Sequence, residues 1–371
     1  TGNDYLEAGC GAETYLFNRG DGQDTINDYS DGASGTPGAD KIIFGQGIKA
    51  TDVSVSFTDN HLKLTINDPD NTAATDEITV QNWSYSYYRI ETIEFADGTV
   101  WTEKNLTDQA MTGTDANDTI TLIPGATLAN GRGGNDTITS NRNNVSLYGG
   151  DGNDTITEHA NDGLIDGGAG DDVIWDDGSG TKTLRGGDGN DTITFNQYYS
   201  NNTIDGGAGN DVIRVRGRWH NNNTSTNVIA GGTGNDYLEA GCGAETYLFN
   251  RGDGQDTIND YSDGAAGTPG ADQIIFGPDI STDQLWFRQV GNDLEASVIG
   301  APETIVIENW YSGSQYHIEQ FKTADNKVLL ETEVDKLVQA MASFSPPAAG
   351  QTTLPKDYRE SLDPVIAANW R

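Results

Sequence analysis

The stretch Gly149-Gly150-Asp151-Gly152-Asn153-Asp154-Thr155-Ile156-Thr157 places three glycines and two carboxylates within one short loop and then turns apolar. The same G-G-x-G-x-D-x-U-x pattern, with U a large apolar residue, starts again at Gly167, Gly186, Gly206 and Gly231, and in degenerate form at Gly113, Gly131 and Arg251. Glycine reaches backbone conformations at positive φ, so carbonyls on either side of it can turn inward toward one point. Those carbonyls and the Asp carboxylate are hard oxygen ligands, and they suit Ca2+ with its loosely arranged oxygen partners. Mg2+ demands a tighter octahedron and keeps its water, while a soft metal requires Cys or His, of which the chain has 2 and 4. The candidate ligands are the sixth-position aspartates Asp118, Asp136, Asp154, Asp172, Asp191, Asp211, Asp236 and Asp256, with Asp4 and Asp24 as a further pair. One Gly-Asn-Asp alone is an ordinary tight turn. Eight copies in register are not explained that way.

The elements that position these loops follow from their spacing. The aspartates lie 18, 18, 18, 19, 20, 25 and 20 residues apart. An apolar position recurs at about half that interval: Ile120, Ala129, Ile138, Leu147, Ile156, Ile165, Ile174, Leu184, Ile193, Ile204, Ile213, Ile229, Leu238, Tyr247 and Ile258. One coil is therefore about 18 residues, read as loop, strand, loop, strand. Alternate loops such as Asn141-Arg142-Asn143-Asn144 lack the glycines and aspartate, so the acidic loops stack along one edge only. Coils about 4.8 Å apart bring consecutive aspartates to a shared ion. About five to eight Ca2+ ions are expected, held least firmly at the degenerate ends and across the 25-residue interval.

Composition agrees. Of 371 residues, 57 are acidic and 21 basic, a net charge of −36, and 47 are Gly. Asp alone accounts for 41 of the acids, a turn residue rather than a helix or strand former. Such a field disfavours nucleic acid and anionic membrane surfaces. No apolar run approaches the roughly 18 residues of a membrane span. Hydrophobic residues at 35%, with 7 Trp, 15 Tyr and 10 Phe, suffice for a folded chain. The core is thin, however, and a stack of aspartates repels itself, so ion binding and folding are expected to be one event.

A longer repeat overlies the short one. Residues 1–45 and 233–277 align without a gap and differ only at Ser34/Ala266 and Lys41/Gln273. Cys10 and Cys242 fall at equivalent positions, too few for a disulfide framework, and they leave the compartment open. Thr1 corresponds to Thr233, so the sequence is expected to begin inside a motif of a longer tandem-repeat protein. Thr1-Gly2-Asn3-Asp4 carries no signal-peptide pattern. Alternation at Val53, Val55, Phe57, Leu62, Leu64, Ile66, Ile78 and Val80 predicts half-buried strands suited to capping a solenoid end. Val334, Leu337, Val338 and Met341 have helical spacing, with Thr332 as a cap, Pro346-Pro347 as a stop and a second helix from Pro355.

The nonapeptide resembles the calcium-binding repeat of RTX (repeats-in-toxin) proteins of Gram-negative bacteria. The resemblance covers 111–260 and a stub at 1–29, while 30–110 and 261–332 look like haemolysin-type calcium-binding-related segments, carried by Asn82-Trp83, Ile90-Glu91-Thr92-Ile93-Glu94-Phe95 and Ala96-Asp97-Gly98-Thr99-Val100-Trp101. It implies an all-β fold: a parallel β-roll, a right-handed solenoid flanked by β-rich caps, with a helical tail at 333–371. It also implies further ligands from carbonyls at positions one to four. Here these are Gly149, Gly150, Asp151 and Gly152; Gly167, Gly168, Ala169 and Gly170; Gly186, Gly187, Asp188 and Gly189. The series continues with Gly206, Gly207, Ala208 and Gly209; Gly231, Gly232, Thr233 and Gly234; and Gly131 and Gly134 of a degenerate copy. Loops missing from alternate half-turns depart from the family pattern. The family implies export by type I machinery that reads a C-terminal signal, hence a secreted or cell-surface protein that folds on Ca2+ outside the cell. No H-E-x-x-H, G-x-S-x-G or P-loop motif is present, so no catalysis is expected of these residues. The alternatives are a calcium-dependent adhesin, or the non-catalytic C-terminal part of a secreted toxin or enzyme. An adhesin draws attention to the fifth-position row from Asn117 to Asn235, to a glycan surface of Tyr85, Tyr87, Tyr88, Trp310 and Tyr311, and to the basic insertion Arg214, Arg216 and Arg218-Trp219-His220.

Overall fold

Isoleucine flanked by threonine, as in Thr155-Ile156-Thr157, suits a short strand with one face inward, because β-branched side chains alternate across the pleat. The computed structural model describes residues 1–29, 39–69, 71, 76–196, 201–216, 225–241, 243–261 and 272–371. They fall into two units, 1–114 with 119–130 and 115–118 with 131–371.

In the second unit Ile138, Ile156, Ile174, Ile193, Ile213, Leu238 and Ile258 pair in register along one parallel sheet. Leu147, Ile165, Leu184, Ile204, Ile229 and Tyr247 do so along a second. None of these is more than 2% exposed. The chain alternates between the two sheets, strand by strand, which makes a solenoid-like β-roll. Both columns run on beyond the repeats, through Ile307 in one sheet and through Ile274 and Phe321 in the other.

The roll then stops growing because the strands reverse. Thr304–Ile307 adds parallel to Gln255–Asp260, and Asp293–Val298 and Leu285–Val290 follow antiparallel. In the other sheet Val328–Leu330 closes antiparallel on Gln320–Lys322. Helix Glu331–Met341 buries Val334, Leu337 and Met341. Thr332 is not its cap. The strand runs straight into the helix, so Leu330 holds the cap position with no side-chain bond and Thr332 lies inside the first turn. Helix Lys356–Asn369 follows Pro355, and Arg371 then exchanges backbone hydrogen bonds of 2.9 and 3.0 Å with Val328.

The first unit repeats this ending. Tyr5–Ala8, Gln23–Asp28 and Asp76–Val80 are parallel, and His61–Ile66 and Val53–Thr58 are antiparallel. Thr14–Phe17, Lys41–Phe44 and Thr92–Glu94 are parallel, closed by antiparallel Val100–Thr102. Strands from 1–29 and 30–110 therefore share both sheets. Among the described residues no helix is long and apolar enough to cross a membrane.

Ile174 is fully buried midway along its column. Ile174→Ala is expected to destabilise the folded roll by about 2–5 kcal/mol, read as a lowered urea midpoint in saturating Ca2+ with an unchanged denaturant slope.

Candidate metal centre

Six of the sixth-position aspartates, Asp136 to Asp236, divide their two carboxylate oxygens between two tasks. Oδ1 of Asp136, Asp154 and Asp172 accepts the backbone N–H of the preceding loop's aspartate at 2.7 Å. Asp191, Asp211 and Asp236 do the same at 2.8 Å, and Asp256 at 3.1 Å. In the first unit Asp24 accepts the N–H of Asp4 at 3.0 Å. The rung locks the carboxylate in place. Oδ2 of Asp136, Asp154, Asp172, Asp191, Asp211 and Asp236 is buried with no protein partner, a costly state for an oxygen unless a ligand meets it.

The glycines explain what that oxygen faces. A Cβ on Gly149 would collide with Asp154 Oδ2 and with the carbonyl of Gly167 one coil on. The same pair of clashes recurs at Gly131, Gly167, Gly186 and Gly206. Position one of these five loops thus fronts a cradle shared by its own aspartate and the next coil's first carbonyl, whereas Gly231 faces only its own Asp236. Hard oxygens from consecutive coils converge there, as a Ca2+ site requires. Positive φ is not the reason for this glycine. The left-handed residues are positions two and four, for example Gly150 at 119° and Gly152 at 124°. There the previous coil's carbonyls, those of Arg132 and Gly134, pack against the α-carbon. Position-three carbonyls bind the coils together: those of Ala169, Asp188, Ala208 and Thr233 accept the N–H of the preceding coil's fourth-position glycine at 2.6–2.7 Å.

The fifth-position row is a second ladder, running the opposite way. Oδ1 of Asn135 accepts from Asn153 N, that of Asn153 from Asp171 N, and that of Asn210 from Asn235 N. These side chains are exposed, but their carbonyl oxygens are committed to stacking. Across the 25-residue interval the Asp211–Asp236 rung measures 2.8 Å, like its neighbours.

Burial, more than neighbouring charge, pushes Asp154 and Asp191 up to about 6 and Asp172 and Asp211 up to about 7. Asp256 is pushed up to about 8, again by burial first.

The opposite edge is not the plain return that the sequence suggests. Glu158 and Asp176 are buried there, each four residues after its loop aspartate, where the strand's alternation turns a side chain inward. Asp176 Oδ1 accepts from the Lys182 ammonium at 2.7 Å with both side chains fully buried. Two further groups lie at the same edge of the longer repeat, Glu13/Asp28/Asp40 and Glu245/Asp260/Asp272. An inward polar residue at a strand end was the available signal, and the nonapeptide pattern does not include it.

Other sequence-flagged residues have structural partners. Arg214 and Arg216 pair with Glu239 at 3.2 and 3.7 Å, while Arg218, Trp219 and His220 lie outside the described residues. Trp310 is buried and stacked on His317 at 4.1 Å, so it cannot join a surface, whereas Tyr85 and Tyr87 are exposed. His317 has both ring nitrogens hydrogen-bonded, and His61 accepts the N–H of Asn82. Cys10 is exposed; Cys242 lies outside the described residues.

Raised folded-state pKa values have a definite sign. The metal-free fold holds protons that the unfolded chain releases near 3.8, so its stability is full below that pH and is lost as pH rises through about 6 to 7. Metal-free protein is therefore expected to gain β-structure between pH 7 and pH 4. The rise in melting temperature produced by Ca2+ should shrink over the same range, measured by circular dichroism with and without the ion.

Comparison with known families agrees with this geometry. The RTX calcium-binding nonapeptide repeat model matches residues 130–157, 161–179, 176–194, 199–215 and 222–258. The haemolysin-type calcium binding protein related domain matches 61–105 and 293–333, the hairpin caps of the two units. Among solved structures, the extracellular lipase LipA from Serratia marcescens is 13% identical over 82% of this chain and 36% of the lipase, with a TM-score of 0.14. The chain is thus built on RTX repeats that bind Ca2+, with two haemolysin-type calcium-binding-related domains.

Proposed function

We propose that this chain is a calcium-operated folding module of a protein exported by type I secretion. Its repeats stay unfolded where Ca2+ is scarce and fold where Ca2+ is abundant. The observation that carries the reading is the run of buried, partnerless Oδ2 atoms from Asp136 to Asp236, those of Asp136 to Asp211 each beside the next coil's first carbonyl. Without a cation these oxygens oppose folding; with one between each pair of coils they favour it. The ligands we assign are the sixth-position aspartates and the first-position carbonyls, each Ca2+ being shared by consecutive coils. The residues are equipped to bind and fold rather than to perform chemistry.

Export by this route needs a chain that is unfolded on departure, and the low free Ca2+ of a bacterial cytosol supplies that condition. In the folded chain the tail is docked, with Leu337, Met341, Leu362 and Trp370 buried. A signal within 333–371 is therefore readable only before folding, which fits an order of export first and Ca2+ second.

Two experiments test the reading. In excess chelator at neutral pH the full chain is expected to lose most of its β-sheet signal and to recover it cooperatively in millimolar Ca2+; sheet content indifferent to chelator would defeat the proposal. Deleting 333–371 is expected to abolish export by a type I system, and fusing that segment to an unrelated passenger to confer it. Undiminished export of the deleted chain would remove the tail from the account.

A further inference from the structure

Three carboxylates from two neighbouring turns meet at the edge of the second unit opposite the glycine loops. Glu245 begins the inward alternation of strand Ala244–Phe249, Asp260 ends strand Gln255–Asp260, and Asp272 immediately precedes strand Gln273–Phe276. Their relative exposures are 0%, 1% and 0%. One ligand oxygen from each lies within 4.8 Å of the others.

Every carboxylate has one oxygen fixed and one left over. Glu245 Oε1 accepts from Asn227 Nδ2 at 3.1 Å, Asp260 Oδ2 from the Tyr247 hydroxyl at 2.7 Å, and Asp272 Oδ1 from Glu245 N at 2.8 Å. Glu245 Oε2, Asp260 Oδ1 and Asp272 Oδ2 are buried with no partner. This is the division of labour seen in the glycine loops, built with side chains alone. The neighbouring charges that act on the three are acidic, each on another and Glu319 on all of them. The sequence 261–271 contains no Lys, Arg or His.

The same edge shows what a buried carboxylate needs. At Asp176 the cation is Lys182, held at 2.7 Å in full burial. One further copy of the triad exists in the first unit. Tyr15 donates to Asp28 Oδ2 at 2.7 Å, Glu13 N to Asp40 Oδ1 at 2.8 Å, and Asp28 Oδ1 and Glu13 Oε2 are again partnerless. In both units the third acid is anchored from the cap: Asp40 N donates to Glu91 and Asp272 N to Glu319, each at 2.7 Å.

We propose that Glu245, Asp260 and Asp272, and likewise Glu13, Asp28 and Asp40, each hold one Ca2+ through side chains alone, a class of site separate from the glycine loops. Three hard carboxylate oxygens exclude a soft metal. Ca2+ accepts an irregular cage of hard oxygens at about 2.3–2.6 Å, whereas Mg2+ demands a near-ideal octahedron at about 2.1 Å and retains several waters. The ion would join the last repeat to the first cap strand, the place where the roll changes from repeated to unrepeated sequence.

The test counts ions on the full-length protein by equilibrium dialysis with radioactive Ca2+, comparing it with Glu245→Gln, Glu13→Gln and the double variant. One ion fewer is expected in each single variant and two fewer in the double, with Ca2+-dependent sheet formation retained. Thermal unfolding in Ca2+ supplies a sign. Losing an ion lowers the midpoint, whereas in a triad without an ion an amide in place of a carboxylate relieves repulsion and raises it. Should Glu245→Gln fail to fold, Glu13→Gln carries the measurement in the other unit. Unchanged ion counts, or raised midpoints, overturn the proposal. Folding that ignores Ca2+ would instead overturn the reading of the loops, so the two failures are distinguishable.

Discussion

Like charge stacked at strand spacing is the constraint to which the rest of the structure responds. Parallel coils place one loop aspartate above another at every turn, and burial denies them the water that would screen them. The carboxylate is held by a single rung from Oδ1 to the neighbouring aspartate's N–H, which orients Oδ2 inward instead of letting it swing to solvent. The asparagine ladder beside it runs with opposite polarity, so a loop cannot slide along the axis without breaking one set of bonds or the other. The glycines clear the space around this arrangement, and the two columns of isoleucine and leucine run behind it.

The opposite edge shows several answers to the same difficulty. At Asp176 a lysine ammonium neutralises the charge from within the chain. In the next three coils the equivalent strand-end positions are Phe195, Val215 and Ala240, and the carboxylate is simply absent. Asn202 and Asn227 fill the facing column there and bond to one another at 2.9 Å. Among the described residues, three carboxylates converge with no base beside them only where repeats give way to caps. The caps themselves end the roll by reversing strand direction, and in the second unit helix Glu331–Met341 lies against the outermost hairpin strand, Phe287 N meeting Met341 Sδ at 3.2 Å.

The columns and the loop aspartates were legible in the sequence because a period, once repeated, outweighs the ambiguity of any single residue. Ile138 to Ile258 needed only counting. What escaped was whatever occurs without repetition or for a second reason. Glu158, Asp176 and Lys182 sit outside the motif, and an isolated acid near a strand end looks solvated until alternation is traced through it. Glycine at position one was assigned to backbone freedom when its work is to leave room in front of Asp154 Oδ2 and its counterparts. The helix cap was misplaced at Thr332 because nothing in sequence reveals that strand Val328–Leu330 enters the helix without a turn.

The 25-residue interval between Asp211 and Asp236 has the same rung as coils of 18. The surplus is counted between strands Val212–Val215 and Thr226–Thr233, whose facing ends lie at the edge away from the glycine loops. The 19-residue coil and the first 20-residue coil place their extra length there too, after Val173–Asp176 and Thr192–Phe195, whereas the 20-residue coil from Asp236 to Asp256 carries its surplus on the loop edge, between Ala244–Phe249 and Gln255–Asp260, where the rung is 3.1 Å. From Asp136 to Asp236 the loop edge is therefore metrically strict and the other elastic. A lineage of such proteins can acquire new surface, charge or reach by lengthening the elastic edge, coil by coil, without retuning the spacing on which ion binding depends.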